Sequence, residues 1–307
     1  MVSHSLYRPL LLGTLDQQSV WLSPAANQLS LDQARSIALA LGSRETGTSM
    51  ESYWSLATRL RQWQQIVDHV GLAHLRTART LEIGSGMGLF TLTGRLLGFD
   101  VVGVDSASDR YNSRMRIAGQ LLADHGLDSA FVQSPSEQLP FADSSVDVVA
   151  TFQTLEHVAN IAQTLSEIQR VLKPGGTLFA QLPNYRSFHE AHYGTFFPLG
   201  LGKDWERRYL RLLGKPTAFL EHLQWLTPAS MRGLLDTAGF DQVAITPYGQ
   251  PTYRAERLHG EAATLPFHWR RGRQEFRAAR ILARLADRLG IDQDLYPQIE
   301  ILATTAK

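Results

Sequence analysis

Leu81-Glu82-Ile83-Gly84-Ser85-Gly86-Met87-Gly88 is the stretch that decides how this chain folds. The run Arg79 to Ile83 reads as a strand, and the residues after the glycines, through about Leu97, read as a helix. Glycines at alternate positions between a strand and a helix let the backbone turn tightly and let a ligand approach the peptide groups. Three of them in this context make a chance turn a poor explanation, so the segment reads as a ligand-binding strand–loop–helix unit.

Downstream, short strands alternate with helices. Asp100 to Val104 is a second strand, Ser108 to Asp124 an amphipathic helix ending at Gly126, and Ala130 to Gln133 a short third strand. Val146 to Phe152 is a buried fourth strand, Ala159 to Leu172 a helix stopped by Pro174-Gly175-Gly176, and Thr177 to Leu182 a fifth strand. Strands separated by helix-length segments pair in parallel through right-handed crossovers. Thr227-Pro228 opens another helix that Gly239 closes, and Val243 to Thr246 and about Gln298 to Thr304 add two strands. The pattern predicts an α/β, doubly wound, Rossmann-like sheet of seven strands.

Outside the alternation lie three further segments. Leu29 to Leu41 reads as a helix with Ser30 as N-cap. About Met50 to Leu75 reads as a second, with Tyr53, Leu56, Leu60, Trp63, Ile66, Val67 and Val70 near helical spacing. Residues 253–290 read as mostly helical and basic on one side. Between Pro183 and Trp225 the strand–helix rhythm fails, and aromatic residues and histidines gather. The expected organisation is an N-terminal helical cap over 1–78, a ligand-binding α/β core over 79–182 and a substrate-covering helical and aromatic insertion over 183–225. The remainder of the core, with a helical insertion and the last strands, occupies 226–307.

Composition excludes several functions. The chain has 307 residues, is 44% apolar and carries a formal charge of +1. No concentrated basic patch is present to neutralise phosphates, so nucleic acid is not an expected partner. With no cysteine there is no disulfide, thiolate nucleophile or thiolate zinc site, and a cytoplasmic location is the simplest expectation. Met1 to Leu15 holds only a short apolar run, Leu10 to Leu12, so no secretory leader is expected. No stretch is long enough for a membrane span.

Two ligand classes compete for the glycine loop. A dinucleotide fingerprint is G-x-G-x-x-G, whereas here the third glycine comes one residue early and Leu89 takes the dinucleotide position. Glu82, just ahead of the loop, suits a cationic or hydroxyl-bearing ligand better than a pyrophosphate. Asp105 ends the second strand, where an acid can accept both hydroxyls of a ribose. The combination resembles the class I S-adenosylmethionine (SAM)-dependent methyltransferases. The resemblance implies that Glu82, Gly84, Ser85, Gly86 and Gly88 wrap the methionine part of SAM and that Asp105 holds the ribose, with Ser106 beside it.

The likeness extends over about residues 79–182, 226–247 and 297–305. Ser136-Glu137-Gln138-Leu139-Pro140-Phe141 resembles the adenine-side loop of the family, and Phe152-Gln153-Thr154-Leu155-Glu156-His157-Val158 the segment bordering SAM and substrate. Leu172 to Leu178 resembles the turn into strand five. Many relatives have an aspartate two residues before the glutamate. This chain has Pro135 there, which leaves that contact to Ser136 or backbone atoms. The resemblance implies SAM as cofactor, S-adenosylhomocysteine as product, and cofactor contacts from Ser136, Glu137, Phe152, Gln153 and, on the covering helix, Tyr53 or Arg61. Trp63 reads as core packing.

Methyl transfer from a sulfonium is an in-line displacement, so the protein's main task is positioning. A hydroxyl nucleophile also needs a base. His157, just past strand four, is one candidate, with helix capping as its structural alternative. His189, Glu190, His192 and Tyr193 follow strand five as further candidates for base or substrate binding. His and Glu can also ligate a metal, but His189 and His192 lack an evident third ligand nearby, so no metal is assigned. This stretch looks similar to methyltransferases of glycan and secondary-metabolite pathways. The reading is therefore methyl transfer to a small-molecule acceptor, aromatic or glycosylated, most simply at a hydroxyl oxygen with a His or Glu base. A C-methyltransferase and a non-catalytic SAM-binding regulator are the competing readings. The aromatic insertion reads as a substrate roof, a satellite core or a homodimer contact.

Overall fold

The computed structural model describes residues 10–15, 18–22, 56–106, 112–187, 189–190, 192–193, 195–196, 202–248 and 298–307. The expected helices at 29–41 and 253–290, and Tyr53, lie outside them.

The glycine loop sits where the sequence places it, between strand β3 (Arg79–Ile83) and helix α3 (Leu89–Leu96). Ahead of it come a hairpin, β1 (Leu10–Leu15) and β2 (Gln18–Leu22), and helices α1 (Leu56–Val70) and α2 (Leu72–Leu75). The hairpin was not foreseen: its Asp16-Gln17 connection lacks the Asn-Gly or Asp-Gly signature of a tight turn. Beyond α3 follow β4 (Asp100–Asp105), α4 (Asn112–Asp124), β5 (Phe131–Gln133), β6 (Val146–Phe152), α5 (Ile161–Val171) and β7 (Leu172–Pro183). The insertion contributes a two-stranded ribbon, β8 (His189–Glu190) and β9 (Thr195–Phe196), then α6 (Gly202–Leu212). Helix α7 (Pro228–Ala238), β10 (Phe240–Pro247) and β11 (Gln298–Thr305) complete the core.

The main sheet has seven strands in the order β10-β11-β7-β6-β3-β4-β5. The five from β7 to β5 run parallel, and β11 lies antiparallel to both β7 and β10. The chain order reverses at β3, which has β4 on one side and β6 on the other, and in open α/β sheets ligands bind at such a switch point beyond the strands' carboxyl ends.

Alternation of side chains along the strands separates two cores. Leu178 and Ala180 join Leu81, Ile83 and Val149 beneath α5 and α7 (Leu165, Ile168, Met231, Leu235). Phe179, between them, turns to the other face with Val148, Ala150 and Phe152 beneath α1 and α3 (Leu60, Trp63, Ile66, Phe90). Trp63 is fully buried, stacked on Phe90 at 4.1 Å, with its indole Nε1 donating to the Phe90 carbonyl at 3.0 Å. Removing this tryptophan would open a large cavity as well as expose a carbonyl.

Local chemistry explains the helix ends. Thr227 and Ser230 form a capping box with Pro228 in the first turn of α7, and Gly239 closes the helix at φ 90°. Asn160 caps α5 by accepting from the Gln163 amide at 3.1 Å. The Pro174-Gly175-Gly176 turn into strand five is absorbed into β7 as an irregularity: Leu172 pairs Val146, but Thr177 already pairs Val148. The end of β11 fixes it, the Gly175 amide donating to the Ala306 carbonyl and the Gly176 amide to Thr305 Oγ1, each at 3.0 Å.

Candidate active site

The three loop glycines differ in what they do. Gly84, Gly86 and Gly88 have φ of 74°, 52° and 69°, a region that residues with a Cβ enter only under strain. A Cβ on Gly84 would lie 2.1 Å from Thr154 Oγ1, and one on Gly88 2.3 Å from the Phe131 ring. These two glycines let the loop pack. A Cβ on Gly86 would meet nothing within 4 Å among the described residues, so among them the backbone there faces open space. The loop is tied to β4: the Gly84 and Ser85 amides donate to the Val104 carbonyl at 2.8 and 3.0 Å, and the Gly86 amide to Asp105 Oδ2 at 2.6 Å. Asp105 is thus aimed across the carboxyl edge of the sheet, beside the exposed face of Gly86, with Ser106 next along the chain.

Glu82 lies beneath the loop, 5% exposed, and its Oε2 accepts from the Thr91 hydroxyl at 2.6 Å and the Thr91 amide at 3.1 Å. Burial pushes its pKa up to about 7, against the pull of the Thr91 hydrogen bonds and the nearby Arg59 charge. Between the ordinary glutamate range and about 7 the folded protein therefore holds a proton that the unfolded chain does not. Stability should fall as pH rises through this window, by up to about 3 kcal/mol. Chemical unfolding from pH 5 to pH 8 measures the slope. Glu82→Gln, which keeps an acceptor for Thr91, should flatten it, and an equal slope in the variant would show that another group is responsible.

Arg59 on α1 lies 6.0 Å over the Phe152 ring and donates to Gln62 Oε1 at 2.8 Å. Among the described residues its Nε finds no acceptor although the atom is buried, and neither does the buried Ser85 Oγ. These orphaned groups, the open face at Gly86 and the acids Glu82 and Asp105 fit an adenosyl amino acid with a carboxylate, an ammonium, a sulfonium and a ribose diol. Arg61, the arginine that the sequence suggests for this role, is exposed and donates to Thr58 Oγ1 at 3.3 Å.

The loop from Ser136 to Phe141 is braced by side chains of α5. Arg170 donates to the carbonyls of Leu139 (3.0 Å) and Phe141 (2.9 Å), and the Leu139 amide donates to Glu167 at 2.8 Å. Ser136 Oγ bonds Thr164 Oγ1 at 3.1 Å and donates to Glu137 Oε2 at 3.2 Å, while Glu137 Oε1 accepts from the Asn160 amide at 3.0 Å. Glu137 is therefore engaged in fixing the start of α5. Phe152 packs between Phe90 and Phe179. Gln153 adopts φ 52°, one of two described non-glycine residues with positive φ, and its amide donates to the Gln181 carbonyl at 2.8 Å. Such backbone settings cost about 1–3 kcal/mol and cluster at functional sites.

Past β6 the chain makes a short turn, Leu155–His157, whose start abuts Gly84 through Thr154. Here two of the expected catalytic residues meet. His157 and His192 place their Nε2 atoms 3.3 Å apart, with the rings edge to face. Two neighbours that the sequence reading did not single out as site residues join them. Tyr185 Oη lies 3.4 Å from His192 Nδ1, and the buried carboxylate of Glu156 has Oε1 3.8 Å from His157 Nε2. The insertion is fastened to this turn: the Gln224 amide donates to the Glu156 carbonyl at 2.6 Å and Gln224 Nε2 to the Val158 carbonyl at 3.2 Å.

The remaining candidates lie elsewhere. Tyr193 is buried in the insertion's own cluster with Tyr185, Leu210, Leu220 and Leu223, and its carbonyl accepts from Lys215 Nζ at 2.6 Å. His189 and Glu190 form β8, but their side chains are outside the described residues. Of the readings of the aromatic insertion, a satellite core describes Tyr185 and Tyr193.

Comparison with known proteins gives the family and the fold. Residues 81–180 match the family model described as a methyltransferase domain. A Mycolicibacterium smegmatis protein described as a probable S-adenosylmethionine-dependent methyltransferase is 30% identical over 220 residues, 68% of each chain. A ubiquinone biosynthesis O-methyltransferase of Cereibacter sphaeroides is 29% identical over 165 residues, 54% of this chain and 61% of that one. The chain spans less than two thirds of the length of several curated relatives that it matches, 21% of one and 61% of the Cereibacter sphaeroides enzyme. The solved structure of the [4+2]-cyclase SpnF shares the fold, with a TM-score of 0.50, 18% identity, and coverage of 92% of this chain and 95% of that one. Fold and glycine loop define an α/β protein of the class I nucleoside-binding type. The chain belongs to the SAM-dependent methyltransferases.

Proposed function

We propose that this protein transfers the methyl group of SAM to a hydroxyl oxygen of a small-molecule acceptor, with the His157–His192 pair taking the acceptor's proton. Because the same fold occurs in a protein named as a cyclase, the fold alone does not choose the reaction. The observation that carries the reading is the union of two features at one sheet edge: the loop with its flanking acids Glu82 and Asp105, and a pair of imidazoles 3.3 Å apart where the turn that abuts the loop meets the insertion.

SAM supplies an electrophilic methyl group when bound. In this reading Asp105 receives the ribose hydroxyls, Arg59 the amino-acid carboxylate, and Glu82 favours the cationic end of the ligand. Glu82 then gives up its proton as the ligand binds, so uptake of SAM near pH 6.5 releases protons to buffer. The adenine lies along the loop that Arg170 braces. His157 is the more exposed imidazole and faces the acceptor, while Tyr185 orients the ring of His192. The aromatic content of the insertion supports an aromatic or glycosylated acceptor. The described residues contain no helix long and apolar enough to cross a membrane.

His157→Ala and His192→Ala are each expected to lower turnover roughly 100-fold or more while leaving SAM affinity within about twofold. Transfer of label from SAM onto a metabolite extract, beside calorimetric titration of SAM, reads both quantities. Unchanged turnover in both variants would remove the base from the proposal, and absent transfer by the unmodified protein would favour a SAM-binding protein without catalysis.

A further inference from the structure

We propose that Glu156, His157 and His192 form a binding site for one divalent first-row metal ion, with Zn2+ as the best fit. Each of the three offers one ligand atom, and these atoms all lie within 4.8 Å of one another. Two imidazole nitrogens and one carboxylate oxygen are a donor set used for zinc and its neighbours, and such sites keep a further position open. The 3.3 Å between the two Nε2 atoms is the separation of two donors that bind one ion at about 2.1 Å with a near-tetrahedral angle. The 3.8 Å from His157 Nε2 to Glu156 Oε1 needs a wider angle of about 130°, or a small rotation of the carboxylate.

Burial and neighbours agree with this assignment. Glu156 is fully buried, His192 half-buried and His157 exposed. A buried carboxylate is at home when paired or bound to a metal. The exposed side, at His157, admits the ion and leaves its open position towards the acceptor. Tyr185 Oη beside His192 Nδ1 is the outer contact that metal-bound histidines need: an Nδ1–H donated to that oxygen directs the Nε2 lone pair at the ion. Two of the ligands follow β6 and the third comes from the insertion, so the ion would also clasp the insertion to the sheet.

Only the identity of the group at the open position rests on the methyl-transfer reading; binding of the ion does not. The base role of the two imidazoles belongs to the metal-free protein; with an ion present they serve as its ligands, and an acceptor hydroxyl bound to the ion loses its proton to solvent more readily.

The test is titration of chelator-stripped full-length protein with Zn2+ by calorimetry and with Co2+ by visible absorbance. One ion per chain is expected, with an intense tetrahedral Co2+ spectrum. His192→Ala and His157→Ala should each weaken binding roughly 100-fold, Glu156→Gln at least about tenfold, and Tyr185→Phe about tenfold. His192 lies on the surface insertion and its variant is checked for an unchanged circular dichroism spectrum. If it folds and still binds as tightly, or if the unmodified protein takes up no ion, the site is refuted. SAM titration of the same samples separates the two proposals: an ion bound without SAM uptake would overturn the methyltransferase reading and spare the metal site.

Discussion

Asp105→Ala is expected to lower the affinity for SAM by a factor of at least about 100, the largest single effect on binding in this protein. The carboxylate ends β4 and is oriented by the Gly86 amide at 2.6 Å. Hydrogen bonds from a ligand to a charged acceptor contribute about 1.5–3 kcal/mol each, and a ribose diol makes two. Loss of both gives about 3 kcal/mol even when the lower value applies, and the Gly86 amide also loses its acceptor. Asp105→Asn is the sharper variant, because it keeps an oxygen for Gly86 while removing the charge. It should fall between the unmodified protein and the alanine variant. Equal affinity in all three would place the ribose elsewhere.

The second large effect is on stability. Gly84→Ala should destabilise the fold by about 3–5 kcal/mol. It combines a left-handed backbone at φ 74° with a Cβ 2.1 Å from Thr154 Oγ1; strain and overpacking each cost about 1–3 kcal/mol. Gly86→Ala is the internal comparison. Its added Cβ meets no atom of the described residues, so it should cost only the left-handed strain, about 1–2 kcal/mol, in the absence of ligand, yet reduce SAM affinity, because the methyl group occupies the face the ligand approaches. Urea unfolding of both variants, with and without SAM, reads the contrast. If the two were equally stable, the division of labour among the glycines would be wrong.

Much of the scaffold could be read directly. Consecutive apolar residues such as Val148-Val149-Ala150 and Leu178-Phe179-Ala180 belong to strands buried on both faces, and they announce a parallel sheet without knowledge of its partners. Thr227-Pro228 and Gly239 mark the ends of α7 because caps are local chemistry. The hairpin at β1–β2 was illegible because neither its turn nor its alternation bears a strong signal.

The site was legible in part, for a physical reason. Glu82, the loop glycines and Asp105 are set by a strand, a turn and the next strand, so spacing reveals them. His157 and His192 are 35 residues apart, and their meeting depends on the path of the insertion, which no local pattern encodes. Glu156 was hidden in an apolar context, Leu155-Glu156-His157. Arg59 was missed in favour of Arg61, although a signal existed. Gln62 and Trp63, three and four residues after Arg59, are both buried, so Arg59 shares their face, whereas Arg61 lies about 200° further round the helix and is exposed.

All of this depends on the edge of the sheet between β3, β4 and β6 holding an adenosyl sulfonium. Calorimetric titration of SAM into ligand-stripped protein is the direct measurement. One site per chain is the predicted result, competed by S-adenosylhomocysteine, insensitive to NAD, and accompanied near pH 6.5 by proton release that Glu82→Gln abolishes. No heat of binding from a folded sample, or an isotherm unchanged in the Asp105 variants, would contradict it.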